Sequence, residues 1–248
     1  YHTCAILDDG SVKCWGYNGY GGLGDGTYTD NSTPSSSVDL GTGLTAVSIA
    51  TGYYHSCAIL SDASLKCWGK NSDGQLGDGD TSSSNTPVSV AIGSVRSVLA
   101  VAAGSGHTCA IMDNMSVQCW GSNSAGQLGD GTTTDSTTPT YVNIANGSSV
   151  AVSDRDLDGD GTLNIFDTHM KRPKSVISSG EHHTCAIMDD SSLYCWGDNA
   201  YGQLGDGTTT NTHTPVAVSL PSGRTASSVS SGLLSHTCAI MDDSSLYC

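Results

Sequence analysis

An all-β fold made of stacked four-stranded units of about 50 residues, a propeller or propeller-like array, is predicted by three features of the sequence. One phrase returns five times along the 248 residues. Every copy carries two cysteines at one spacing, and Gly, Ser and Thr crowd the segments between them. The phrase opens the chain as YHTCAILDDGSVKCWGYNGYGGLGDGT and ends it as SHTCAIMDDSSLYC. The first cysteines of the copies, Cys4, Cys57, Cys109, Cys185 and Cys238, lie 53, 52, 76 and 53 residues apart. Three gaps agree, and the long one marks an insertion over 152–174. The whole of 1–248 reads as one repeat domain of four full units and a terminal hairpin. Because it begins and ends within a repeat, it is expected to be part of a longer chain.

Within a unit, CAILDDGSVKC reads as a hairpin. Cys4 to Leu7 leads into a turn at Asp8-Asp9-Gly10, and Ser11 to Cys14 returns. A three-residue loop sets Cys4 opposite Cys14, with Ile6 and Val12 on the same face. Ala63, Met115 and Ser191 stand where Gly10 stands, so a left-handed turn residue is not assured in every copy. Two further strand-like runs follow, one of them the VAVSL after the Thr-Pro pair. Together with the hairpin they make four strands.

The 10 cysteines form five Cys-x9-Cys pairs with none left over: Cys4 with Cys14, Cys57 with Cys67, Cys109 with Cys119, Cys185 with Cys195, and Cys238 with Cys248. Opposed hairpin positions bring Cβ atoms to about the 4 Å of a disulfide. Metal-binding cysteines show closer spacing with histidine at short range. Reduced core cysteines are the alternative. Disulfides imply an oxidising setting, hence secretion or cell-surface display.

With 9 Lys and Arg against 24 Asp and Glu the formal charge is -15, which repels a phosphate backbone and argues against nucleic-acid binding. No apolar run approaches the length of a membrane span.

The string HTCAI…CWG.N..GQLGDGT…TPV.V resembles the repeat of the regulator of chromosome condensation family, in the cysteine-paired form of secreted prokaryotic proteins. The resemblance covers nearly all of the chain except the insertion. It implies a β-propeller, commonly of seven blades, and the chain departs in holding fewer units than such a ring. The eukaryotic founder acts on a small GTPase on chromatin, a setting at odds with paired cysteines and strong acidity. The resemblance also takes in secreted propellers that inhibit β-lactamase by binding through one face.

The insertion reads DRDLDGDGTLNIFDTHMKRP and resembles the calcium loops of dockerins and thrombospondin type 3 repeats. Asp156, Asp158, Asp160, Thr162 through its carbonyl, Asn164 and Asp167 are the expected Ca²⁺ ligands, with Gly161 at the turn. A bare acidic loop is the alternative. Pro173 cuts short any following helix. The histidine two residues before each first cysteine (His2, His55, His107, His183, His236) repeats with the unit and so reads as structural. His182 and His213 do not repeat, and nothing in the sequence pairs them with a carboxylate. Asp25, Asp78, Asp130 and Asp206 of LGDG read as turn formers. Trp15, Trp68, Trp120 and Trp196 read as packing between units. Sequons stand at Asn31, Asn114 and Asn146 as glycosylation candidates.

No asymmetric catalytic set emerges, so no enzymatic activity is expected. The first reading is an extracellular structural or surface-display protein, stabilised by disulfides and calcium, which self-associates into a fibre or layer. The alternative is a discrete secreted propeller that binds a protein or glycan through its unlike loops 17–20, 70–73, 122–125 and 198–201. A carbohydrate-active enzyme, with Asp154 or Glu181 (the only Glu) as its candidates, comes third.

Overall fold

Each repeat is organised around a hairpin whose two cysteines face each other. In the computed structural model, which describes residues 1–34, 37–93, 97–144, 177–188, 191–232 and 234–248, strand β1 (His2–Ile6) pairs antiparallel with β2 (Val12–Gly16), and Cys4 lies opposite Cys14. The same register recurs at Cys57↔Cys67, Cys109↔Cys119 and Cys185↔Cys195. All ten cysteines are in disulfides, with Cα atoms 4.0 or 4.1 Å apart. That spacing is the close approach of a pair of residues that exchange no backbone hydrogen bonds.

The turn does not vary with its sequence. Gly10 has φ 76°, and Ala63, Met115, Ser191 and Ser244 take the same left-handed conformation at φ 64°, 62°, 64° and 69°. A carboxylate or amide holds it. Asp9, Asp62, Asn114 and Asp243 each accept the backbone N–H two residues on, as an Asx turn.

Three complete four-stranded sheets follow the first hairpin. Their strands run β3 (Ala46–Thr51), β4 (His55–Leu60), β5 (Leu65–Gly69), β6 (Ser84–Ser89); then β7 (Val98–Ala103), β8 (His107–Met112), β9 (Val117–Gly121), β10 (Ser136–Tyr141); then β11 (Ile177–Ser179), β12 (His183–Ile187), β13 (Leu193–Gly197), β14 (Thr212–Ala217). A sheet of three strands closes the sequence, β15 (Ala226–Ser231), β16 (Thr237–Met241) and β17 (Leu246–Tyr247). There is no helix among the described residues. The Thr-Pro pair lies inside the outer strand, as in β6 and β14, and not ahead of it as the sequence suggested. Proline is tolerated there because an edge strand has N–H groups with no ladder to complete, and each outer strand also shifts register beside it.

Both faces of every complete sheet are buried. Cys57, Ile59, Leu65 and Cys67 point one way and pack on Ala110, Met112 and Trp120 of the next sheet. The alternate residues Ala58, Leu60 and Trp68 point the other way, onto Val12 and Cys14 of the first hairpin and Leu23 of the loop after it. This is the period-two pattern of a strand buried on both sides, and it makes the chain a row of propeller blades.

Candidate functional site

The seams between blades explain the repeated polar residues. The Trp68 indole donates to the Gly22 carbonyl at 2.9 Å, Trp120 to Gln75 at 3.0 Å, and Trp196 to Gln127 at 2.9 Å. The same carbonyls accept the hydroxyls of Ser56, Thr108 and Thr184. Each hydroxyl in turn meets the histidine of the preceding blade: His2 at 2.7 Å, His55 at 2.9 Å and His107 at 2.8 Å. Since the hydroxyl spends its proton on the carbonyl, Nε2 of the histidine carries the hydrogen and Nδ1 is bare. The Nδ1 atoms of His55 and His107 are indeed buried without a partner. Burial lowers the pKa of these two rings to about 3, and that of His2 and His183 to about 4. His236 departs from the pattern in being exposed. Trp68, Trp120 and Trp196 are fully buried, whereas Trp15 is only half-buried.

A second repeated device shapes the loop after each Trp-Gly. Asn71 is fully buried; its side-chain carbonyl accepts from Leu76 N–H and its amide reaches Asp78 and the Ser82 carbonyl. Asn18, Asn123 and Asn199 do the same in their blades. Asp25, Asp130 and Asp206 accept from the backbone two residues on, as turn formers do. These asparagines are the fixed N of CWG.N, a place in the sequence that marks them as part of the repeat without disclosing that the side chain is buried.

What does not repeat is a cluster of five tyrosines. Gly22 stands where other blades carry the buried Gln75, Gln127 and Gln203, so no amide side chain fills that place. Tyr54 instead packs against Tyr17 and Tyr20 of the preceding loop, with ring centroids 5.5 and 5.0 Å away. Tyr1 stacks on Tyr54 at 5.3 Å and meets Tyr53 edge-on at 4.8 Å, their hydroxyls 3.2 Å apart. Tyr1 is 66% exposed, and Tyr17 and Tyr20 are 39% exposed. The hydrogen bond to Tyr1 raises the pKa of the Tyr53 phenol, with a smaller contribution from the charge of Glu181. Desolvation, then the neighbouring phenols, raises that of Tyr54. At the corresponding positions the next blade has Ser105, Gly106, Lys70 and Asp73, and the one after has Ser122 and Ala125. The fourth blade has Tyr201 at the place of Tyr20, 81% exposed, but with Asp198, Glu181 and His182 at the other three places, so the clustering of tyrosines belongs to one sector of the loop face.

Of the other residues singled out, the calcium set Asp156, Asp158, Asp160, Thr162, Asn164 and Asp167 lies outside the described residues, as do Asn146 and Asp154. Asn31 and Asn114 each accept from the hydroxyl of their own sequon, Thr33 and Ser116. His182, expected to have no carboxylate near it, stands 3.7 Å from Glu181, because the loop turns both side chains outward. Among the described residues no three His, Cys, Asp or Glu converge as a metal site, and no helix is long and apolar enough to cross a membrane. A cavity of about 370 Å³ lies in the seam after β13, lined by Leu193, Leu204, Gly205, Val218 and Met241. In the other seams Gly24, Gly77 and Gly129 lie under an indole at the place equivalent to Gly205, so this cavity occupies the indole's place in the seam; Gln203, His236 and Thr237 also line it.

The Regulator of chromosome condensation (RCC1) repeat matches residues 65–111, 116–153 and 190–240, and a second description of that repeat matches 1–21, 46–75, 98–127 and 175–203. The chain is 31% identical over 275 aligned residues to the Ultraviolet-B receptor UVR8 of Arabidopsis thaliana, covering 99% of this chain and 62% of the relative. It is 30% identical to the human E3 ubiquitin-protein ligase HERC2, covering 96% of this chain and 6% of that protein. Human WBSCR16 superposes with a TM-score of 0.73 at 25% identity, over 94% of this chain and 54% of its own. Yeast RCC1 (Prp20), crystallised with Kap60, superposes with a TM-score of 0.73 at 22% identity, over 99% and 53%. The chain thus spans less than two thirds of the length of these relatives. Two family matches at the blade period, disulfide-paired hairpins and stacked four-stranded sheets converge: this chain belongs to the regulator of chromosome condensation (RCC1) repeat family.

Proposed function

We propose that this chain is a recognition propeller, not an enzyme, and that it binds a partner protein through the loop face bearing Tyr1, Tyr17, Tyr20, Tyr53 and Tyr54. One observation carries the reading. The seam histidines, indoles, asparagines and LGDG aspartates recur from blade to blade, whereas the tyrosine cluster occurs once and presents exposed rings. A repeated feature answers to the scaffold; an asymmetric exposed aromatic patch answers to something outside it. Tyrosine suits that task, offering large area at small entropic cost. The relatives' names range from a receptor to a ubiquitin ligase, so the repeat fixes a scaffold and its loops set the activity.

The setting proposed for it is extracellular or cell-surface, on the strength of five disulfides in hairpins that close inside single repeats. Calcium is proposed as a stiffener of the 152–174 insertion, from ligand spacing alone. With these, the geometry favours the binding reading over assembly into a fibre or layer, since the distinctive patch is on a loop face.

Photo-crosslinking tests the reading. A benzophenone side chain replacing Tyr20 or Tyr54 should capture one discrete protein from the native extracellular fraction, and the purified protein should bind the unmodified chain. The same group replacing Tyr141, on the outer strand β10, should capture none. Equal capture at all three positions, or none at any, would sink the proposal.

A further inference from the structure

This inference rests on the tyrosine face being the binding face, and it concerns the chemistry of what docks there. We propose that the five-tyrosine patch receives a cationic segment of a partner protein, an arginine- or lysine-bearing stretch laid across the phenol faces.

Three observations lead to it. The first is the presentation of the rings. Tyr54 is contacted by Tyr1, Tyr17 and Tyr20, and Tyr1 and Tyr53 are tied through their hydroxyls, so the aromatic faces are fixed before anything binds. A ring face is the negative end of the aromatic quadrupole and attracts a guanidinium or ammonium, while the surrounding rings cover its apolar stem.

The second is charge. Of the 9 cationic residues only Lys13, Lys66, Lys70 and Arg224 are among the described residues, while all but seven of the 24 carboxylates are. Each of those cations is already engaged. Lys66 donates to the Leu40 carbonyl at 3.0 Å, Lys70 pairs with Asp73 at 3.3 Å, Arg224 pairs with Asp243 at 2.8 Å, and Lys13 also has a partner. The described surface therefore offers a cationic partner a field of carboxylates, and the Lys and Arg described on it are already engaged.

The third is the rim. Glu181 comes close enough to Tyr53 for its charge to act on the phenol. It is partly exposed, and the His182 ring lies 3.7 Å from it. An arginine over Tyr53 and Tyr54 would also feel the charge of this carboxylate, an attraction that separates a cationic ligand from a purely apolar one.

The test uses two synthetic peptides, acetyl-Gly-Arg-Gly-Arg-Gly-amide and its citrulline counterpart, which has nearly the same shape without charge. They are titrated into the intact chain carrying ring-labelled tyrosine and followed by NMR. The arginine peptide should shift the resonances of Tyr17, Tyr20 and Tyr54, and the citrulline peptide should bind at least about fivefold more weakly. Tyr54→Leu keeps apolar bulk and removes a π face, and should weaken the arginine peptide about two- to fivefold. Glu181→Gln leaves the core untouched and should weaken it about twofold. Equal binding of the two peptides, indifference to both substitutions, or shifts confined to tyrosines outside the cluster would overturn the inference. A partner captured at positions 20 and 54 through an uncharged segment or a glycan keeps the binding-face reading and overturns this one. A face that captures nothing and binds neither peptide overturns both.

Discussion

His55 and His107 show how far a single residue's environment can be reasoned through. Each ring donates through Nε2 to a hydroxyl and has a bare, buried Nδ1, so protonation would put a second donor where no acceptor stands. Their pKa is lowered to about 3 from an ordinary value near 6.5, and that of His2 and His183 to about 4. Above pH 6.5 all four are neutral in both folded and unfolded chains, and their contribution is fully present. As pH falls from 6.5 towards 4 and then 3, the unfolded chain takes up protons that the folded one refuses, and stability is lost across that window. The loss should approach about 1.4 kcal/mol per pH unit for each such histidine. Denaturant melts at pH 7.5, 6, 5 and 4 check this, and His107→Gln should reduce the slope by one proton's worth. The hairpin turn gives a second prediction. Ala63 sits at φ 64°, so Ala63→Gly should stabilise by about 0.5–1 kcal/mol. Gly10→Ala should destabilise by more, because a Cβ there would lie 2.6 Å from that of Thr45. The sequence disclosed that a turn stood here but left its conformation open, since four different residues occupy the site. The flanking Asp or Asn, which accepts the following N–H, is what makes the conformation uniform.

At the scale of the strand and its seam, the cysteine register was fully legible. Opposed hairpin positions follow from a three-residue loop, and the same arithmetic placed Ile6 across from Val12. The outer strand was legible only in part, because proline argues against a strand until one knows that the strand is an edge. The seam itself was not legible. The bond from Trp120 to the Gln75 carbonyl joins residues 45 apart, and no local pattern announces it. That seam is predicted to be the main mechanical joint between blades. Trp120→Ala removes a fully buried indole from the interface between the β3–β6 sheet and the β7–β10 sheet and should cost about 3–5 kcal/mol. Trp120→Phe should cost less and leave the Gln75 carbonyl to Thr108 alone. Equilibrium unfolding in guanidinium under non-reducing conditions measures both. A loss below about 1 kcal/mol for the alanine variant would mean that neighbouring blades are held by other contacts.

For the whole molecule, the near-constant spacing of Cys4, Cys57 and Cys109 sufficed to predict blades, and the longer gap before Cys185 located the insertion. The recognition face was only half legible. Loop 17–20 was legible only as one of four mutually unlike loops, and Tyr53 and Tyr54 come from the next repeat, so only stacking of successive blades brings them onto Tyr17 and Tyr20. The calcium proposal belongs at this scale too. Added Ca²⁺ should raise the thermal midpoint of the intact protein, and Asp158→Ala should abolish the gain; a midpoint indifferent to the metal would leave the insertion a bare acidic loop. The central claim, that this propeller recognises a protein through its tyrosine sector, is tested most directly by one affinity measurement. The partner captured by crosslinking, once purified, is titrated against the wild-type chain and against the Tyr20→Ser, Tyr54→Ser double variant, with unfolding curves confirming that both are folded. The account predicts a loss of affinity of at least about tenfold, the scale expected when two anchoring aromatics are removed. Unchanged affinity in a folded double variant would contradict it.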